Sequence, residues 1–133
     1  MKITREADYA LRIVAMLCSE KKQIEAKQIS EQKLIPYRFT LKILRKLVQA
    51  DIVKSYRGVN GGYILKRKPN EITFKQIIEI IDGPIAINRC ISEPEICKNV
   101  GDCQIQKRLL RVQKQFAEEL GKIDFNMIIN EKI

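Results

Sequence analysis

The sequence predicts a mainly α-helical chain with a small β-wing: a winged helix-turn-helix domain followed by a long C-terminal dimerisation helix. Three observations predict it. Two short amphipathic segments meet at the tight turn Leu34-Ile35-Pro36. Two alternating runs flank the glycine-rich stretch Arg57-Gly58-Val59-Asn60-Gly61-Gly62. An apolar stripe with coiled-coil spacing then runs from Ile105 to Leu120.

The elements follow in order. Thr4 is suited to cap a first helix reaching about Glu20, with Ala7, Ala10, Leu11, Val14, Leu17 and Cys18 on one face. Cys18 sits on that apolar stripe and reads as a small buried hydrophobe. A short helix from Glu25 to about Gln32 turns Ala26 and Ile29 inward. Pro36 opens the next, to about Ala50, with Phe39, Ile43, Leu44, Leu47 and Val48 inward and Arg38, Lys42, Arg45 and Lys46 largely off that face. The pair reads as a helix-turn-helix whose second helix is basic. Ile52–Tyr56 and Tyr63–Leu65 form the hairpin wing, whose Gly61 and Gly62 are as readily explained by the turn as by a ligand. Thr73 caps a helix through Ile81 that Gly83-Pro84 stops. The chain thus divides into a winged head at 1–83, a cysteine-bearing loop at 84–103, and a dimerisation helix with a weakly patterned tail at 104–133. Ile105, Leu109, Val112 and Phe116 are the residues expected to pair with a second copy, the alternative being that the stripe packs onto the chain's own domain.

Charge points to the partner. Of a formal +9, all resides between Lys33 and Lys68, where ten Lys and Arg face a single acid, Asp51. The remainder holds fifteen bases and fifteen acids. Such confinement is the footprint of a polyanion-binding surface, here double-stranded DNA. Arg38, Thr40 and Lys42 are expected at base edges in the major groove, and Arg57 and Asn60 at the minor groove or its phosphates. Lys46, Lys54 and Lys66 are expected at phosphates or in solvent. No apolar run approaches the ~20 residues needed to cross a bilayer, and acids and bases interrupt the N-terminus. A cytoplasmic protein with no membrane partner is expected.

Cys90, Cys97 and Cys103 stand within one proline- and glycine-broken stretch, and the chain has no histidine. In a reducing compartment, clustered thiolates suit zinc or an iron–sulfur cluster. Neither a histidine base, a nucleophile elbow nor a phosphate-binding glycine loop is present, which argues against an enzyme.

Ala7-Asp8-Tyr9-Ala10-Leu11-Arg12, the helix-turn-helix, and Arg57-Gly58-x-x-Gly61-Gly62-Tyr63-x-Leu65 together resemble the Rrf-type winged-helix transcriptional regulators. With its three cysteines the chain is similar to their iron–sulfur branch, the IscR- and NsrR-like members. The resemblance covers nearly the whole chain. It implies a homodimer on a palindromic operator, holding a 2Fe–2S or 4Fe–4S cluster by the three cysteines and a variable fourth ligand. IscR-like members place a histidine three residues beyond the third cysteine, where this chain has Gln106. NsrR-like members use an N-terminal aspartate, which Asp8 matches, with Glu6 the alternative. The expected function is a sequence-specific regulator, a repressor, sensing iron, nitric oxide or redox state. The alternative is a winged-helix regulator without a cluster, controlled by thiol oxidation, structural zinc or a metabolic-enzyme partner.

Overall fold

In the computed structural model, which describes residues 2–98 and 101–130, helix α1 (Arg5–Ser19) begins where expected. The Thr4 side chain accepts a hydrogen bond from the Ala7 amide at 3.1 Å, satisfying one of the amides a helix start leaves open. Ala7, Ala10, Ile13, Val14 and Leu17 are buried along its inner face. Helix α2 (Ala26–Lys33) ends at Leu34, which takes a left-handed conformation with φ 54°. Ser30 closes that turn, its hydroxyl donating to the Ile35 carbonyl at 2.6 Å while its own carbonyl accepts from the Ile35 amide at 3.0 Å. Helix α3 (Tyr37–Gln49) starts directly after Pro36 and buries Ile43, Leu44 and Leu47. Phe39, expected inward, instead lies 40% exposed, edge-on to Tyr9 with ring centres 6.0 Å apart.

Strands β1 (Val53–Tyr56) and β2 (Gly62–Leu65) pair antiparallel, with Val53 opposite Leu65 and Tyr56 opposite Gly62. The wing is also fastened on its other edge. Ile24 and Tyr63 exchange two backbone hydrogen bonds, at 3.0 and 2.8 Å. This close approach explains Gly62: a Cβ there would lie 2.7 Å from the Ile24 carbonyl oxygen, and its φ is +147°.

Helix α4 (Phe74–Asp82) opens with a reciprocal cap between Thr73 and Gln76, the side chain of each accepting from the other's amide. The cysteine loop is less irregular than expected. It contains a short helix α5 (Arg89–Ser92) and a 3-10 turn at Pro94–Ile96. Residues 99–100 of that loop and 131–133 of the tail lie outside the described residues. Helix α6 (Gln104–Lys122) is long and mostly exposed, and α7 (Phe125–Asn130) follows. The tail returns to the head. The Phe74 amide donates to the Ile123 carbonyl, the Phe125 amide donates to that of Ile72, and Phe125 is fully buried against Phe74 at 5.1 Å. Phe125 belongs to the same apolar cluster as Ala7, Ile13, Ile43, Leu47 and Ile77.

Candidate nucleic-acid interface and cysteine loop

Helix α3 presents Arg38, Lys42 and Arg45 at successive turns of its exposed face. They share an open groove with Tyr37, Phe39 and Leu41. The wing joins this face: Tyr37 and Leu41 line one groove with Ser55, Tyr56 and Arg57, and Arg45 lines another with Arg57. The basic helix and Arg57 therefore flank one surface. Asn60 and Val59 project from the wing tip, Val59 with 96% exposure.

Thr40 is a correction. It is fully buried, and its hydroxyl donates to the Pro36 carbonyl at 3.3 Å. It stands three and four positions before Ile43 and Leu44, on their face of the helix, so it cannot meet a base edge. The sequence reading missed Tyr37, which is 51% exposed in the first turn of α3 beside Arg38. An aromatic four residues before Leu41 and off the Ile43–Leu47 stripe was the available signal.

Several lysines of the basic segment are already engaged. Glu6 receives Lys42 at 3.5 Å and Lys46 at 3.1 Å. Lys66 meets Asp51 at 2.9 Å, and its hydrogen bond and charge hold that carboxyl below its ordinary range. The Lys54 ammonium lies 5.0 Å from the Tyr56 ring centre.

The three loop cysteines are half-buried, and Cys103 is the residue preceding α6. Two glutamines tie their loop to that helix. Gln106 is nearly buried; its amide nitrogen donates to the Cys90 carbonyl at 3.4 Å and its oxygen accepts from the Gly101 amide at 3.0 Å. The Gln113 oxygen accepts from the Ile87 amide at 2.9 Å. Upstream, the Asp82 carboxylate accepts from the Thr4 hydroxyl, joining the end of α4 to the start of α1.

By chemistry, three thiols suit a soft metal centre. By geometry, the single chain does not gather them. Among the described residues, no group of three or more Cys, Asp or Glu stands close enough to hold a metal ion. Asp8 is paired with Arg12 at 2.8 Å, and Glu6 faces α3. Cys18 lies apart from this chemistry, since burial pushes its thiol up to about 12.

A family profile described as an iron-dependent transcriptional regulator, Rrf2, matches residues 3–131. The chain belongs to the Rrf2 family. An rrf2-like HTH-type transcriptional regulator of Rhodobacter capsulatus is 32% identical over 121 residues, 87% of this chain and 79% of that protein. IscR of Pectobacterium atrosepticum is 25% identical over 134 residues, 99% of this chain and 81% of its own. Among solved structures, CymR, the global cysteine regulator of B. subtilis, superposes with a TM-score of 0.81 at 25% identity, covering 100% of this chain and 99% of that one. As an Rrf2 protein the chain is a DNA-binding transcriptional regulator and not an enzyme. Its fold is the mainly helical winged helix-turn-helix with a long α6. No helix among the described residues is long and apolar enough to cross a membrane.

Proposed function

We propose that this Rrf2 protein is a homodimeric cytoplasmic repressor whose affinity for a palindromic operator is set by an iron–sulfur cluster on Cys90, Cys97 and Cys103. The observation that carries the proposal is the placement of all three thiols on one loop, which Gln106 and Gln113 fasten to α6 and which begins beside Asp82 and Thr4 of the head. The family's iron-dependent description and the likeness to IscR support it. Arg38, Lys42 and Arg45 enter the major groove, while Arg57 and Asn60 bring the wing to the minor groove or its phosphates. Ile105, Leu109, Val112 and Phe116 form the two-fold seam, and the two heads then meet half-sites a whole number of helical turns apart.

A bound cluster would supply iron whose ligands and oxidation state respond to the cell. Asp8 remains the first choice for a fourth ligand, reached across the dimer. Its pair with Arg12 is solvent-exposed and weak. Glu6, held by two lysines, is the alternative. The second reading is a regulator without a cluster, controlled by thiol oxidation, structural zinc or a metabolic-enzyme partner. The ungathered thiols favour it.

The test is the visible spectrum of anaerobically purified protein. A brown protein, with absorption lost on substituting Cys90 and shifted in Asp8→Ala, supports the first reading. Colourless protein that binds DNA supports the second. A shift in Glu6→Ala but not in Asp8→Ala transfers the ligand role to Glu6.

A further inference from the structure

Among the described residues, the ion pairs of the basic segment are all made by lysines, though not by every one: Lys33, Lys54 and Lys68 make none. Among the described residues, Lys42, Lys46 and Lys66 have carboxylate partners, whereas Arg38, Arg45 and Arg57 have none within ion-pair distance. Glu6 makes two of these three pairs, from a different helix. Its side chain is only 20% exposed, wedged where α1 meets α3. The Thr4 cap and the Thr4–Asp82 hydrogen bond fix the turn that carries it.

We infer that Glu6 is an affinity-limiting residue of the DNA-binding face: its carboxylate restrains Lys42 and Lys46 and so lowers affinity for any DNA, leaving tight binding to duplexes that engage the arginines. This rests on the proposal that α3 faces the major groove. Lysine is a compact point charge that any phosphate satisfies, whereas the planar guanidinium matches the paired acceptors of a guanine edge. Lysines on phosphates supply affinity that is blind to sequence. Lys42 and Lys46 lie one turn apart on α3, and the carboxylate between them leaves one net positive charge where two would stand. A phosphate, or for Lys42 a base edge, approaching either ammonium must displace Glu6 or lie beside a second anion. The penalty applies to every duplex. A duplex offering bases to Arg38, Arg45 and Arg57 binds tightly in spite of it, through contacts a random duplex lacks.

The experiment measures binding of the full chain by fluorescence anisotropy over a range of KCl concentrations. One probe is a random-sequence duplex, the other a duplex selected from a random pool by the wild type. Glu6→Gln is expected to tighten random-duplex binding about threefold or more, and to steepen its log K against log [salt] slope by roughly one per restrained lysine. Binding to the selected duplex should tighten by a similar factor, so both affinities rise while their ratio is preserved. Glu6→Asp, which keeps the charge, should retain the wild-type slope. In a Lys42→Gln/Lys46→Gln background, the Glu6→Gln change should have no effect. The inference is overturned if Glu6→Gln leaves the random-duplex slope unchanged while the double lysine variant flattens it. If the double lysine variant leaves the slope unchanged as well, α3 does not face DNA, and the interface proposal falls first.

Discussion

Arg57 stands where the wing turn becomes tight. Gly58 follows it with φ +102°, and the Gly61 amide donates to the Gly58 carbonyl at 2.9 Å, so the guanidinium leaves from a fixed corner. Arg57→Ala is expected to weaken operator binding by roughly 1–3 kcal/mol if the residue reads bases. A mobility-shift titration at constant salt checks it, and unchanged affinity removes Arg57 from the interface. The cysteines make a second residue-level contrast. The raised Cys18 thiol keeps its proton in neutral solution, because burial disfavours the thiolate. Iodoacetamide at mildly alkaline pH should therefore modify Cys90, Cys97 and Cys103 in the metal-free protein while sparing Cys18. Cys18 should react only at higher pH than the other three, because burial raises its thiol. Mass spectrometry of peptides reads this directly, and Cys18 labelled as fast as the other three would show that its partial burial does not hold the thiol protonated.

At the level of elements, α6 carries apolar side chains into solvent. Ile105 is 70% exposed, Val112 55% and Phe116 42%, whereas Leu120 at its far end is buried against the head. Val112→Asp places a charge in the proposed seam and should convert a dimer into monomers by light scattering. A wild type that is monomeric at micromolar concentration would refute the seam. The head's elements were legible in the sequence because each combines a local cap with a long apolar period. Thr4, Pro36 and Thr73 mark starts that hold to within a residue. Thr40 shows where that legibility fails. Its polarity and early place in α3 suggested the groove, but helix phase, fixed by Ile43 and Leu44, put it inside. Helix α7 was not legible at all. Its six residues are too few to display a period, and the partners of Phe125 lie far away in sequence. The thiol spacing likewise says which residues could share a metal, but not whether one chain brings them together.

For the whole molecule, the return of the tail means that a division at residues 83 and 103 describes roles rather than separable cores. Phe125 is fully buried in the apolar cluster of the head. Phe125→Ala should destabilise the protein by about 3–5 kcal/mol, with the head and α6 losing structure in a single urea transition. A biphasic transition, or a shift of only a few tenths of a kcal/mol, would show the tail to be a mere overlay. Vectorial synthesis gives this arrangement another meaning. Phe74 leaves the ribosome about fifty residues ahead of Phe125, an interval of roughly 3–10 s at ordinary elongation rates. Throughout it, the nascent head has both its helix-turn-helix and its wing but lacks the aromatic plug of its core. The cysteine loop emerges within the same interval, before the head can close. The apolar cluster of the head is therefore completed only after the cysteine loop has emerged.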